Sequence, residues 1–152
     1  MIAGYLVASL VDTNILVYCY DPRNSAKRAA ARDVLRMGAA RNELRLSHQA
    51  LIEFVSVVTR RRVQGSPLLP HDEAARQAEE LMAEIPVLYP NEAVFRMALR
   101  GKAAYGFSWY DAHLWAYAEH YGLPEILSED FEHGRIYGTV RIRNPFVERG
   151  LA

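Results

Sequence analysis

Four acidic residues stand in locally apolar sequence, and any fold of this chain must pair them, expose them or bring them to a shared partner. They are Asp12, after the apolar residues 6–11; Glu53, the only charged residue between Gln49 and Thr59; Asp111, in an aromatic-rich segment; and Asp130, which follows a second short apolar run at 126–127. An ionised carboxylate is costly to bury without a partner. Hard divalent cations prefer oxygen ligands and are the natural shared partner of several carboxylates. We therefore predict one metal site that uses all four acids.

The composition is that of a single globular domain, which we predict to cover residues 1–152. Eighteen basic and eighteen acidic residues cancel, so the net charge neither favours nor excludes a nucleic-acid partner. Cys19 is the only cysteine, which excludes an intrachain disulfide and fits a reducing cytoplasm. No apolar run approaches the roughly 20 residues of a membrane span, and the first residues lack a basic signal-peptide region. We expect a cytoplasmic protein with no membrane partner.

Short apolar runs alternate with helical patterns along the chain. Strands are predicted at 6–12, 44–46, 86–89, 125–128 and 139–142. Helices are predicted at 13–20, from an N-cap at Ser25 to a stop at Gly38, from a cap at Ser47 into Arg60, and at 72–84, 91–104 and 108–121. This alternation predicts an α/β domain with a largely parallel sheet, whose functional crevice lies beyond the carboxyl ends of the strands. Asp12 and Asp130 each follow a predicted strand, so the four acids can converge at that edge.

Two of the acids have an alternative interpretation as helix caps. Asp12 opens an Asp-Thr-Asn sequence in which every residue is a good N-cap. Ser108 and Asp111 have the spacing of a capping box. Against that interpretation, Asp111 shares a helix face with Leu114 and Trp115 and so points towards the core.

The other two acids differ in how well a structural role would explain them. Glu53 lies in the middle of a helix with Ala50 three residues before it and Val57 four residues after it. A solvated glutamate would normally have polar neighbours at those positions. Asp130 is the weakest candidate alone, because Ser-Glu-Asp after a strand is common in loops, and Glu129 is an equally plausible ligand.

Five segments together resemble one known family. They are Val-Asp-Thr-Asn-Ile-Leu at 11–16, Ala-Leu-Ile-Glu-Phe-Val at 50–55, Ser-Trp-Tyr-Asp-Ala at 108–112, Leu-Ser-Glu-Asp-Phe at 127–131 and Val-Arg-Ile-Arg-Asn-Pro-Phe at 140–146. In this order and spacing they are similar to the PIN-domain nucleases, most closely the VapC-type toxins of bacterial toxin–antitoxin pairs. Each motif is short, and the specificity comes from finding all of them in order over essentially the whole chain.

The resemblance implies a fold, an activity and a site. The fold is a three-layer sandwich with a central parallel sheet of about five strands and helices on both sides. The implied activity is that of a Mg²⁺- or Mn²⁺-dependent endoribonuclease. Such proteins are commonly homodimers and are toxic until an antitoxin binds them. The implied catalytic and metal residues are Asp12, Glu53, Asp111 and Asp130, with Thr13, Asn14 and Ser108 as supporting residues. We expect the three aspartates to ligate and Glu53 to orient or deprotonate a water.

One departure from the family pattern affects the last acid. Ser-Glu-Asp at 128–130 replaces the more widely spaced late acids of many relatives, which leaves open whether Glu129 or Glu132 shares the role of Asp130. Small apolar and aromatic residues in 13–40 and 50–60 are candidates for a groove that binds an antitoxin helix, and a basic antitoxin side chain could reach the acids.

Two other functions remain as alternatives. A non-catalytic PIN-fold module that binds RNA or protein would keep the fold without activity. The presence of all four acids argues against it. A haloacid-dehalogenase-type phosphatase needs a second aspartate two residues after the first, and Asn14 occupies that position.

Overall fold

Six strands form one sheet in residues 7–62 and 65–151, the part of the chain that the computed structural model describes. The strands are β1 (Ser9–Val11), β2 (Leu44–Ser47), β3 (Val87–Leu88), β4 (Glu125–Leu127), β5 (Ile136–Tyr137) and β6 (Val140–Arg143). The helices are α1 (Thr13–Tyr18), α2 (Ser25–Ala40), α3 (His48–Val58), α4 (His71–Glu84), α5 (Glu92–Tyr105), α6 (Trp109–Tyr121) and α7 (Pro145–Glu148).

The sheet is parallel except at one edge. Its order is β3-β2-β1-β4-β6-β5, and the pairs from β3 to β6 are all parallel. Only β5 runs antiparallel, joined to β6 by a turn in which Gly138 adopts a φ of 62°, a value that favours glycine. The predicted α/β fold with a mostly parallel sheet is confirmed, and the β5 hairpin is an addition that the sequence patterns did not predict.

Alternate residues of the central strands face two separate cores. Leu10 and its neighbour Ile126 pack with α5 and α6, whereas Val11 and its neighbour Leu127 pack with the layer formed by α1 to α4 and α7. Strands buried on both faces read as continuous apolar runs, which explains why the segments before Asp12 and after Glu125 were recognisable. Helices therefore cover both faces, as the resemblance implied.

Helix α2 differs from its prediction at both ends. Its N-cap is Asn24, whose side-chain oxygen accepts the Lys27 N–H at 3.0 Å, so the assignment of the cap to Ser25 is wrong by one residue. The predicted stop at Gly38 is also wrong, because the helix continues to Ala40. A Cβ at Gly38 would lie 2.6 Å from Cγ of Leu44, so glycine serves the close packing of α2 on β2.

Helix α3 begins as predicted and ends early. Ser47 is its N-cap and accepts the Ala50 N–H at 3.0 Å, but the helix ends at Val58, before Arg60. Of the predicted first strand, residue 6 lies outside the described residues. The short helix α7 begins at Pro145, with Asn144 as its N-cap, and was not predicted. Within residues 7–62 and 65–151, no helix has the length and apolarity needed to cross a bilayer.

Candidate functional site

A cavity of about 740 Å³ opens at the carboxyl ends of β1 and β4 and is lined by all four predicted acids, Asp12, Glu53, Asp111 and Asp130. Residues from α1, α3, α6 and the loop after β4 form its walls. The crevice lies where parallel α/β sheets commonly bind ligands. The fold therefore brings together side chains that are up to 118 positions apart in the sequence, from 12 to 130.

Asp12 is the most enclosed of the four acids, with 7% of its surface exposed. It is the N-cap of α1, and its Oδ1 accepts the Thr13 N–H at 2.7 Å. Its Oδ2 accepts the Ser128 hydroxyl at 2.6 Å and the Asn14 amide at 3.2 Å. The capping interpretation is therefore correct for Asp12, and the same carboxylate also lines the cavity.

Burial raises the pKa of Asp12 to about 7. The hydrogen bonds from Ser128 and Thr13 lower this pKa, whereas the carboxylates of Asp130 and Asp111 raise it. Two like charges therefore act on Asp12 across the cavity. A cation bound close to these carboxylates would relieve their mutual repulsion.

Glu53 is half-buried and held by two hydrogen bonds. Its Oε2 accepts the Thr13 hydroxyl at 3.0 Å, and its Oε1 accepts the Gln49 amide at 2.9 Å. The same Gln49 amide also donates to the Tyr110 carbonyl at 3.3 Å. Sequence reasoning missed Gln49, although its position one helical turn before Glu53 places both on one face of α3. These bonds fix the orientation of the Glu53 carboxylate.

Asp111 lies in the first turn of α6 and is half-buried. Ser108 caps the helix, and its hydroxyl accepts the Asp111 N–H at 3.2 Å. Burial raises the pKa of the Asp111 carboxyl, the hydroxyl of Ser108 lowers it, and the charges of Asp130 and Glu53 raise it. Ser108 thus supports the backbone of the residue whose carboxylate faces the cavity.

The loop after β4 distinguishes the three late acids. Asp130 is exposed, and its N–H donates to the Ser128 hydroxyl at 3.0 Å. Both oxygens of Glu129 are occupied, one by the Tyr18 hydroxyl at 2.6 Å and one by the Lys27 ammonium at 2.9 Å. Glu132 is paired with Arg135 at 3.3 Å and does not line the cavity. The available carboxylate in this loop is that of Asp130.

The donor set of the cavity fits a hydrated hard cation. Across residues 7–62 and 65–151, no ion pair involves any of the four acids. The buried Oδ1 of Asn14 has no hydrogen-bond partner among these residues. No described histidine or cysteine lines the cavity, so its donors are oxygen atoms. A site whose ligands are oxygen atoms, with carboxylates that have no ion-pair partner, suits Mg²⁺ better than Zn²⁺.

The same acids do not form a closed ligand cage. In the described part of the chain, no group of three or more His, Cys, Asp or Glu side chains is arranged to hold a metal ion by itself. Mg²⁺ usually keeps several waters and takes one or two carboxylates directly. The geometry therefore fits an ion that reaches some of these carboxylates through water.

A family model for the PIN domain matches residues 9–138, which is most of the chain. This chain belongs to the PIN-domain family. The match spans the segments that carry the four acids of the cavity. The family resemblance stated from the sequence is confirmed.

Solved structures similar to this PIN domain include a toxin and two toxin–antitoxin complexes. The sarcin-ricin loop cleaving toxin VapC20 of Mycobacterium tuberculosis has a TM-score of 0.63 and 16% identity, covering 81% of this chain and 90% of the toxin. A toxin–antitoxin complex from Klebsiella pneumoniae has a TM-score of 0.66 and 14% identity, covering 91% and 98%. DNA-bound VapBC from Salmonella typhimurium has a TM-score of 0.68 and 13% identity, also covering 91% and 98%.

These identities are low, so the structural likeness establishes a shared fold. No curated protein matches the sequence of this PIN domain. These structural neighbours include a VapC toxin and a VapBC complex.

Proposed function

We propose that this PIN domain is a Mg²⁺- or Mn²⁺-dependent endoribonuclease of the VapC type that acts in the cytoplasm and is inhibited by an antitoxin protein. The observation that carries the proposal is the placement of four carboxylates without ion-pair partners, among the described residues, around one open cavity of about 740 Å³. A purely structural role would leave these acids paired or apart. The likeness to VapC and VapBC structures supports the toxin assignment.

Asp12, Asp111 and Asp130 are the residues that would hold the cation, directly or through water. A bound divalent ion supplies a water of lowered pKa and stabilises the charge that develops on the phosphate. Glu53 is held by Thr13 and Gln49, so one lone pair on each of its oxygens remains available. In this proposal Glu53 accepts the proton of the attacking water. Asn14 and Ser128 keep Asp12 oriented towards the cavity.

Calorimetric titration with Mn²⁺ tests the metal site without knowledge of the RNA. We expect saturable binding by the wild type, and its loss in Asp12→Asn and Asp111→Asn. Asp33→Asn is a matched control, because this carboxylate on α2 pairs with Arg36 and does not line the cavity. Binding that persists unchanged in both site variants would contradict the proposal.

Cleavage of single-stranded RNA tests the reaction. We expect EDTA to abolish cleavage and added Mn²⁺ to restore it. A wild-type protein that binds Mn²⁺ and RNA but cuts no RNA would favour the non-catalytic binding module instead.

A second groove is the proposed antitoxin site. It has a volume of about 670 Å³ and lies between α2 and α4, with apolar walls that include Leu35, Ala39, Leu81 and Ile85. The sequence named residues in 13–40 and 50–60 as candidates for such a groove. Leu35 and Ala39 belong to the first range, whereas residues of both ranges, among them Val17 and Val57, line the cavity of the four acids. An amphipathic antitoxin helix could lay its apolar face there. Replacing Leu35 with glutamate should abolish co-purification with the proposed antitoxin.

A homodimer is the proposed oligomeric state. Phe95 and Leu99 occur four residues apart on α5, and each is 50% exposed. The Phe95 ring lies 5.6 Å from that of Trp109, which extends the patch onto α6. A two-fold interface uses the same patch on both copies. Light scattering should report a dimer for the wild type and a monomer for Phe95→Glu.

A further inference from the structure

Lys27 of α2 is in contact with the loop that carries Asp130. Its ammonium lies 2.9 Å from Oε2 of Glu129, and the two side chains are only 16% and 23% exposed. The same ammonium lies 5.1 Å from the ring centres of Tyr18 and Phe146. A lysine held by a carboxylate and two aromatic rings has little of the freedom of a surface lysine.

Tyr18 of α1 holds the other oxygen of the same carboxylate. Its hydroxyl donates to Oε1 of Glu129 at 2.6 Å. Its ring packs edge-on against Phe146 at 5.0 Å, and Phe146 is fully buried. Glu129 is therefore fixed from two helices that rest on the core, and we call Tyr18, Lys27 and Glu129 the Glu129 clamp.

Asp130 has no side-chain anchor of its own. Among the described residues its carboxylate makes no hydrogen bond and no ion pair, and only its N–H is held, by Ser128. Ser128 also donates to Asp12, so it links Asp130 to the floor of the cavity. The position of the Asp130 carboxylate thus depends on the residues before it, Ser128 and Glu129.

We infer that Lys27 and Tyr18 are positioning residues that hold Asp130 over the cation site through Glu129. The inference rests on the proposed function, since it assigns Asp130 to a metal ion. It adds to the site two residues that lie outside the acidic motifs. In this inference Glu129 anchors the loop and is not a metal ligand.

For the loss of Lys27, simple electrostatics and a positioning role predict opposite changes in the affinity for Mn²⁺. Lys27 carries a positive charge beside the loop of Asp130, so removing that charge alone should tighten the binding of a cation. Positioning predicts weaker binding, because Asp130 loses its fixed place. The sign of the change in Mn²⁺ affinity for Lys27→Met therefore separates the two effects.

The experiment compares Lys27→Met, Lys27→Arg and Tyr18→Phe with the wild type by calorimetric Mn²⁺ titration and thermal unfolding. We expect Lys27→Met and Tyr18→Phe to raise the Kd for Mn²⁺ about tenfold, as for other residues that orient ligands. Lys27→Arg should restore a Kd near that of the wild type, since it keeps the charge and the donors. Arg96→Met is a matched control that removes a charge from the exposed pair with Glu92.

A Kd that is unchanged or lowered in both Lys27→Met and Tyr18→Phe, whatever their unfolding temperatures, would overturn the clamp while leaving the metal site intact. If Lys27→Met fails to fold, Tyr18→Phe decides, because it deletes a single hydroxyl. A wild type that binds no Mn²⁺ would overturn the proposed function and the clamp with it.

Discussion

The hydroxyl of Ser128 donates to Oδ2 of Asp12 at 2.6 Å, across 116 positions of the sequence. This bond joins the carboxyl ends of β1 and β4 at the floor of the cavity. Ser128 is fully buried, so its hydroxyl has no access to bulk water. The bond counteracts the effect of burial on Asp12, because a donor to the charged form of a carboxylate lowers its pKa.

Replacing Ser128 with alanine should raise the pKa of Asp12 above about 7 and lower the free energy of unfolding by about 1–3 kcal/mol. Carbon-detected NMR titration of the Asp12 carboxyl in EDTA would measure the first effect and urea unfolding the second. Ser9→Ala is the matched control, since Ser9 donates to Glu125 at 2.7 Å between the same two strands. An equal shift of the Asp12 pKa in both variants would contradict the role given to Ser128.

Replacing Asp12 with asparagine should stabilise the metal-free protein at neutral pH. The folded pKa of about 7 lies above the ordinary value of 3.8, so the favourable contribution of Asp12 is complete below pH 3.8 and is lost as the pH rises through 7. Asparagine does not titrate, so the advantage of Asp12→Asn should grow between about pH 4 and 7, to roughly 4 kcal/mol at most. Urea unfolding in EDTA across this range is the measurement, with Asp33→Asn as control. A variant that is less stable than the wild type at about pH 8 would contradict the prediction.

Replacing Glu53 with glutamine should separate proton transfer from metal binding. The amide oxygen can still accept the Thr13 hydroxyl, but it is too weak a base to take a proton from water. We expect kcat for RNA cleavage to fall by about 100-fold or more, while the Kd for Mn²⁺ stays near the wild-type value. Glu92→Gln on the surface of α5 serves as control. A large rise in Kd instead would make Glu53 a ligand.

Replacing Gly101 with alanine should destabilise the fold although alanine favours helices. A Cβ at this position of α5 would lie 2.5 Å from Cε3 and Cζ3 of Trp115. That ring cannot move freely, because its Nε1 donates to the Tyr137 carbonyl at 3.0 Å. Overpacking of this kind costs about 1–3 kcal/mol and should outweigh the helical gain of about 1 kcal/mol. Thermal unfolding is the measurement.

Ala103→Gly provides the comparison for that substitution, because Ala103 is exposed in the same helix. It should cost about 1 kcal/mol through propensity alone. If the Gly101→Ala variant is as stable as the wild type, the Trp115 ring must move to accommodate the added methyl group.

The sequence patterns predicted those parts of the fold that depend on local chemistry. The apolar run before Asp12 and the cap at Ser47 are local signals, and the structure places both elements where they were expected. The sequence does not predict that α2 continues past Gly38, because the deciding contact is with Leu44 of another element. Asn24 and Ser25 are both good N-caps, and propensity alone does not choose between neighbours of similar preference.

The residues of the candidate site likewise fall into those that the sequence predicts and those that only the structure reveals. Its acids were visible because each contrasts with apolar neighbours, and a family pattern links them. Gln49 and Lys27 carried no such signal, since polar residues on exposed helix faces are common. Their roles come from contacts across 61 and 102 positions, which only the folded chain creates.

The bond between Ser128 and Asp12 also determines when the cavity can exist during translation. A nascent chain whose residues up to Asp130 have not yet left the ribosome has β1 without β4 beside it, and Asp12 without its partner hydroxyl. All four carboxylates meet only after this late segment has been added to the sheet. A nuclease built in this way would remain inert while it is being synthesised, because its site is incomplete until the last acid has joined the sheet.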